Sequence, residues 1–440
     1  MSARGRSRSL EVFVGGAHAG ALHISGNGLL SFRYDERYSG PQLSLCMPFS
    51  NEEYVGRVVH AWFDNLLPDN DQVRRGMAEK AGSSTGLFPL LSRFGLDLPG
   101  AVQTVSPDNL EAFLDRPEGY ARLTSDQVGD RLAAIVEAEA ANRARSWTLS
   151  DEHWSLGGMQ TKLALREYRG QWYECLGSSA SNVIVKPGAF GLEGQALDEC
   201  VTMRLAKRCG LPVADVTVEP FGSFDAIVSR RYDRFTDAQG AVTRIHQEDC
   251  CQATATVSSC KYTADGGPSA ATIIALLENA EGASRQRFID GLLFNYLTAS
   301  TDAHAKNYSL LHPARDRFML APLYDVASAA PYMKKGKSYR LAMSIGGENR
   351  VGWLRASSLE RLARTHGIDF AALADRVEEL AEQVKENLEV SVNEFSSCEG
   401  IDQLASLLVP RLRALCAATQ RNIRVGSRQF KPVDITRFGW

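Results

Sequence analysis

The sequence predicts an α+β protein in three parts: a β-rich N-terminal module, a small β-rich lobe with one helix, and a larger helical lobe. Three observations carry this. Residues 10–34 alternate short β-prone runs with glycine turns. A second set of short strands begins after Trp154, with one helix-like stretch, 198–209, among them. Beyond about residue 245, apolar residues recur mainly at helical spacing. The polar stretch 142–151 divides the chain into residues 1–146 and 147–440. The second part divides again into a small lobe, about 147–240, and a helical lobe, about 241–440.

Each element has its own signal. Residues 10–14, 21–24 and 29–34 read as an antiparallel meander, and 52–81 as a more helical stretch. Residues 126–145 are rich in Ala and Glu, with Leu132, Ile135 and Val136 at helical spacing and Ser125 placed to cap them. Residues 162–167 and 171–175 read as paired strands, and 182–186 (NVIVK) as a short buried strand stopped by Pro187-Gly188. Gly210 closes the helix 198–209 as a C-cap. Residues 213–219 and 226–229 are strand-like again. In the last part, 288–298 is one apolar segment. Leu373, Val377, Leu380, Val384 and Leu388 step by four, three, four and four, which buries one helix face. Residues 404–418 form a further helix candidate, interrupted by Pro410.

Composition narrows the class. A length of 440 residues suggests two or three domains, and 44% hydrophobic with 23% charged residues fits a globular chain with a sizeable core. A net charge of −3 gives no overall reason to expect nucleic-acid binding. The ends are basic, however, at 1–10 and 421–437. They read as solvated tails, or as electrostatic contacts to DNA or a partner. Nine scattered cysteines without paired spacing indicate a reducing cytoplasm. His246, Cys250, Cys251 and Cys260 fit no common zinc spacing. No apolar run follows the N-terminal arginines, and none approaches the ~18 residues of a membrane span, so neither a secretory signal nor a transmembrane helix is expected.

One constellation carries chemistry. Phosphoryl transfer from ATP needs hard oxygen ligands for Mg²⁺, a carboxylate to orient the attacking hydroxyl, a lysine for the phosphates with a glutamate to hold it, and a loop of small residues. Candidates occur in that chain order: the loop Ser155-Leu-Gly157-Gly158-Met159-Gln160-Thr161-Lys162, then Lys186, then Glu199 thirteen residues later. Asp302 and Asn307 stand five apart, the spacing of a kinase catalytic loop, and Asp325 follows in Leu-Tyr-Asp-Val. Singly, each has a plainer reading: a hairpin turn, a surface lysine, a solvated glutamate, a polar loop capping a helix. His304 reads equally as a structural histidine or as a group reaching Asp302 or a phosphate. Together, in order, they indicate a kinase. A lipid or small-molecule kinase and a non-catalytic scaffold on the same fold remain as alternatives on these residues.

The same residues resemble the HipA family, the serine/threonine kinase toxins of bacterial toxin–antitoxin modules. The resemblance covers most of the chain. It includes Phe63-Asp-Asn-Leu-Leu-Pro-Asp69, Gly95-x-Asp97-x-x-Gly-Ala-Val102, Ser155-x-x-Gly-x-Gln160-x-Lys162 and Arg231-Tyr-Asp-Arg234. It continues through Gln247-Glu-Asp249, Lys261-Tyr262, Asp265-Gly-Gly-Pro268, Asp302-x-His-x-Lys-Asn307 and Tyr324-Asp325. It implies a bilobal protein-kinase-like fold behind a β-rich N-terminal subdomain. Asp302 would be the catalytic base, and Asn307 and Asp325 would hold Mg²⁺. Lys186 would contact the ATP phosphates with Glu199 as partner, and Gly157, Gly158, Met159, Gln160, Thr161 and Lys162 would form the phosphate loop. Arg230, Arg231 and Tyr232 would be the hinge beside adenine; His304, Lys306 and Tyr324 would line the nucleotide site. Ser155 would be an autophosphorylation site whose modification shuts the kinase off, since about −2 of charge enters a loop built for phosphates. Implied partners are a small HipB-like helix-turn-helix antitoxin, operator DNA through that complex, and an aminoacyl-tRNA synthetase substrate, the glutamyl enzyme first. Met159, in place of a smaller loop residue, and Arg230, where the best-known member has an acid, depart from the pattern without removing a catalytic group.

Overall fold

The computed structural model describes residues 8–140, 162–189, 191–424 and 429–439. The chain forms two compact units. The first comprises residues 1–190, 219–260 and 309–318; the second comprises 191–218, 261–308 and 319–440. The expected 146/147 boundary lies outside the described residues.

In the first unit the expected meander is present. Strands Arg8–Val14, Ala17–Ile24 and Leu30–Tyr34 pair antiparallel, and Tyr54–Val55 and Val102–Val105 complete the sheet at its two edges. The register slips between Val12 and Phe13, and Gly20 lies opposite that bulge. Its φ is +153°, and a Cβ there would sit 2.1 Å from the Arg33 carbonyl, so only glycine fits. The helical stretch divides into Arg57–Asp64 and Asp71–Ala81. Pro68 falls in the break, and the Asn70 side chain caps the second helix by accepting from the Gln72 and Val73 amides.

A second sheet runs in the order Val216–Phe221, Phe224–Arg230, Val183–Lys186, Leu163–Tyr168, Gln171–Gly177, Glu118–Leu123. The last strand comes from the part of the sequence assigned to the N-terminal module. Alternation in Glu118–Leu123 is too weak to show that it pairs with Gln171–Gly177, 50 residues on. Helix Ser125–Ala140 follows it. Its cap is Thr124, whose Oγ1 accepts from the Gln127 amide while the Gln127 side chain accepts from the Thr124 amide. Ser125, the expected cap, donates instead to the Pro220 carbonyl. One continuous core joins the two sheets, from Leu10 and Trp62 through Phe94 and Leu132 to Val185 and Phe221.

Several of the polar motifs prove to be internal staples of this unit. Glu248 is fully buried and accepts from Ser44 Oγ at 2.5 Å, the Leu45 amide at 2.8 Å, Trp62 Nε1 at 3.1 Å and His312 Nε2 at 3.0 Å. A second cluster joins Asp97 and Asp233 to Arg231, Arg234 and Arg244. Gly100 donates its amide to Asp233 at 2.7 Å. A Cβ on Gly100 would lie 2.7 Å from the Gln247 nitrogen, which explains the glycine of that motif.

In the second unit, helix Ser284–Leu297 is central; every residue from Phe288 to Leu297 is buried, and its two polar members are partnered, Asp290 by Arg376 and Asn295 by Tyr308. Helices Gln195–Arg208, Ala356–His366, Phe370–Asn393 and Ile401–Arg424 belong to the same unit, and Phe370–Asn393 packs on each of the others. The five residues Leu373, Val377, Leu380, Val384 and Leu388 are buried as their spacing requires. Pro410 does not interrupt the last helix: Ile401–Arg424 runs through it. Proline removes only the bond to the Ser406 carbonyl, and Gly439 lies against that carbonyl. The 241–440 part is less helical than its composition suggests. His246–Asp249 pairs with Ser309–Ala314 in the first unit, and Arg340–Ile345 pairs with Glu348–Arg350 in the second. Among the described residues no helix is long and apolar enough to cross a membrane.

Candidate active site

The site grows from the end of helix Ser284–Leu297. Ala299 adopts a left-handed φ of +51°, and the Ala299 and Ser300 amides bond back to Tyr296 and Asn295. The chain then exits as Thr301-Asp302. Asp302 is exposed. Its Oδ1 accepts from the Tyr262 hydroxyl at 2.5 Å. The following turn is tightly internal: His304 N bonds Asp302 O at 2.7 Å, Asn307 N bonds His304 O at 2.9 Å, and Ala305 N bonds Lys261 O at 3.3 Å. His304 is buried and meets the Tyr262 ring edge-on at 5.0 Å. The histidine thus buttresses the tyrosine that holds Asp302.

Asn307 joins the two acids. Its Nδ2 donates to the Asp302 carbonyl at 3.2 Å and to the Asp325 carbonyl at 3.4 Å, which leaves its Oδ1 as the oxygen to offer a cation. Asp325 is exposed and takes a left-handed φ of +58°, a conformation a short polar side chain tolerates. Tyr324 donates to the Lys306 carbonyl at 2.5 Å, and the Leu323 backbone pairs with Pro212 and Ala214. The structure therefore brings Asp302, His304, Lys306, Asn307, Tyr324 and Asp325 together. An exposed carboxylate beside an amide oxygen is a hard-oxygen donor set, which suits Mg²⁺ rather than a softer metal.

Glu199 lies buried on helix Gln195–Arg208 in the same unit, with Gln195 Nε2 at 3.4 Å from its Oε2. Its neighbour Asp198 is wholly buried, bonded by the Thr202 hydroxyl at 3.4 Å. Burial holds its carboxyl well above the ordinary range. A raised folded-state pKa gives stability that is complete below the unfolded value and is lost as pH rises through the folded one. Asp198→Asn removes that ionisation. Its melting temperature should therefore exceed wild type by a margin that widens as pH climbs above the ordinary carboxylate range. Thermal unfolding across a pH series checks this, and a pH-independent margin would refute it.

The remaining candidates lie in the first unit. Lys162 precedes strand Leu163–Tyr168, and Lys186 is the buried last residue of Val183–Lys186, opposite Ile227. Arg230 is exposed and pairs with Glu167 at 3.0 Å. Tyr232 donates to Gln247 at 2.6 Å. The Arg231 side chain turns inward. Its guanidinium is buried against Asp233 and Ser181, its amide bonds Asn182 O, and its carbonyl accepts from Arg234 N. Burial works against this charge, but the Asp233 and Asp97 carboxylates raise its pKa above the ordinary value. Its side chain is thus held inside the first unit, by Asp233 and Ser181. Ser155, Gly157, Gly158, Met159, Gln160 and Thr161 lie outside the described residues.

Comparison with known proteins identifies the family and the fold. The HipA-like C-terminal domain model matches residues 154–391, over half of the chain, and the HipA N-terminal domain model matches residues 10–105. The chain belongs to the HipA family. Y4mE of Sinorhizobium fredii, assigned as a kinase, is 31% identical over 391 residues, covering 86% of this chain and 90% of that protein. The serine/threonine-protein kinase toxin HipA of Shewanella oneidensis is 29% identical over 368 residues, covering 78% and 80%. A solved structure of Shewanella HipA with HipB and operator DNA superposes at a TM-score of 0.81 and 24% identity, over 94% of this chain and 100% of that one. The fold is therefore the mixed helix-and-sheet, two-lobed, protein-kinase-like fold of HipA. Tyr262 is the site residue that sequence spacing missed. It appears in the motif Lys261-Tyr262, but nothing local shows that it reaches Asp302, 40 residues away.

Proposed function

We propose that this HipA-family chain is an ATP-dependent serine/threonine protein kinase acting as the toxin of a toxin–antitoxin pair. The observation that carries this is the Asp302 carboxylate, exposed, fixed by Tyr262, and linked through Asn307 to Asp325. Asp302 would accept the acceptor hydroxyl's proton. Asn307 and Asp325 would hold Mg²⁺, which when bound neutralises charge on the transferring phosphate. Lys162, Lys186 and the loop from Gly157 would contact the ATP phosphates, with Glu199 supporting Lys186. Backbone groups around Arg230 and Tyr232 would meet adenine, and Ser155 would be the autophosphorylated off-switch. The family and the Shewanella complex support a HipB-like antitoxin that carries the pair to operator DNA. An aminoacyl-tRNA synthetase, the glutamyl enzyme first, is the proposed substrate in the cytoplasm, and its loss would stall translation and growth.

Radiolabelled ATP added to a cell lysate with the purified chain tests this. A labelled protein band of synthetase size is expected; label confined to lipid would overturn the reading. Mass spectrometry after incubation with Mg-ATP should find phosphate on Ser155, and an unmodified Ser155 in an active enzyme would defeat the switch. Tyr262→Phe should slow transfer about tenfold by removing a hydrogen bond to a charged group, with nucleotide affinity unchanged. Equal rates in a single-turnover assay would show that Tyr262 does not position Asp302.

A further inference from the structure

The segment after Asp325 carries a charge pattern that the phosphoryl-transfer chemistry does not need. Residues 326–347 contain no Asp or Glu, yet hold Lys334, Lys335, Lys337 and Arg340. All four are exposed. Among the described residues no carboxylate pairs with any of them; Arg340 Nη1 donates to the neutral Asn349 amide oxygen at 2.9 Å. The nearest acid in the hairpin, Glu348, is already engaged by Arg350 at 2.6 Å. Four positive charges without internal compensation therefore fall within residues 334–340, three on the loop and Arg340 at the start of the strand that follows it.

The loop is also built rather than loose. Arg411 is buried and donates to the carbonyls of Ala330 at 2.6 Å, Met333 at 3.1 Å and Pro331 at 3.4 Å, which pins the base of the loop. The Lys334 amide donates to the Tyr339 hydroxyl at 2.7 Å, and the Lys337 amide to the Lys334 carbonyl at 3.3 Å. Gly336, at φ +77°, makes that turn possible. On its far side the loop enters strand Arg340–Ile345, whose Ala342 amide bonds the Thr301 carbonyl at 3.0 Å. Thr301 is the residue before Asp302. One backbone hydrogen bond thus ties the strand that begins at Arg340 to the residue before Asp302. At ~3.3 Å per extended residue, Arg340 lies about two residues and Lys337 about five residues along the chain from that anchor.

We propose that Lys334, Lys335, Lys337 and Arg340 form a docking surface for an acidic stretch of the acceptor protein, with Glu or Asp two to five residues from the hydroxyl presented to Asp302. The proposal rests on the kinase reading for the meaning of that hydroxyl. Its physical content is charge complementarity beside the reacting group. Such a surface raises encounter rate and fixes register, and it weakens with salt. An acidic polypeptide is favoured over nucleic acid because the cations occupy one loop of a few residues, too short to track a phosphate backbone.

The test uses the full chain, Mg-ATP and three synthetic serine peptides flanked by Glu, by Ala or by Lys. Phosphate transfer and, separately, binding of fluorescent peptides are measured for wild type and for the triple variant K334E/K335E/K337E. The Glu-flanked peptide should be favoured about tenfold or more at low ionic strength. The triple variant should erase or invert the order while its autophosphorylation is unchanged. Transfer without charge preference would overturn the docking surface and leave the kinase reading intact. Binding of the Glu peptide that needs the loop, without transfer to any peptide or to the chain itself, would uphold the surface and overturn the kinase reading. Charge reversal that abolishes binding of duplex DNA but leaves peptide preference unchanged would also overturn the proposal.

Discussion

Asp302→Ala should lower phosphoryl transfer by roughly 10²–10⁴ while Mg-nucleotide binding is largely retained. The asymmetry follows from the geometry. Asp302 is the exposed carboxylate held by Tyr262, whereas the proposed metal oxygens belong to Asn307 and Asp325. Asn307 reaches the Asp302 backbone carbonyl, not its side chain, so truncating the carboxylate leaves that bond in place. Single-turnover transfer and nucleotide titration separate the two effects. Unchanged turnover would remove Asp302 from the chemistry. Equal loss of binding and rate would show that its charge serves the nucleotide instead.

Asp233→Ala should cost about 3–5 kcal/mol of stability, far more than an ordinary surface change. Asp233 is buried with Arg231 at 2.8 Å and Arg234 at 2.9 Å, and it accepts the Gly100 amide. Removing it leaves two buried guanidinium groups with Asp97 as their remaining carboxylate, and the Gly100 amide loses its acceptor. Burial alone would raise the Asp97 and Asp233 pKa values. The surrounding arginines outweigh it and hold both below the ordinary carboxylate range. Groups depressed in this way contribute stability above their unfolded pKa and lose it as pH falls through the folded value. The wild-type advantage over the variant should therefore shrink in acid. Denaturant titration at neutral and acidic pH checks both claims; a cost under about 1 kcal/mol at neutral pH would mean the cluster is solvated.

Much of this was legible in the sequence where the signal is local and periodic. The buried stripe of Phe370–Asn393 and the spacing of Asp302 and Asn307 need only the repeat of one helix or one turn. Signals that depend on distant partners were not legible. Strands His246–Asp249 and Ser309–Ala314 are too short for their alternation to stand out, and their pairing spans 60 residues. Thr124 and Ser125 are equivalent cap candidates until the Pro220 carbonyl claims one of them. The resemblance places Arg231 at the hinge beside adenine for its backbone; that its guanidinium turns inward to Asp233 and Ser181 could not be read from the sequence. Tyr262 was overlooked for a related reason: a tyrosine in a motif does not declare which carboxylate it will hold.

Glu248 bears on how such proteins can change over time. It lies within residues 154–391, while Ser44, Leu45 and Trp62, which supply three of its hydrogen bonds, lie within residues 10–105. The two segments matched by separate family models thus share one buried charge and one apolar core. Recombination that exchanged the first segment for one lacking the serine or the tryptophan would strand a carboxylate in the interior. These halves are therefore constrained to be inherited as a matched pair, and a chimaera of distant relatives should fold only when the three partners that the first segment gives Glu248 come along.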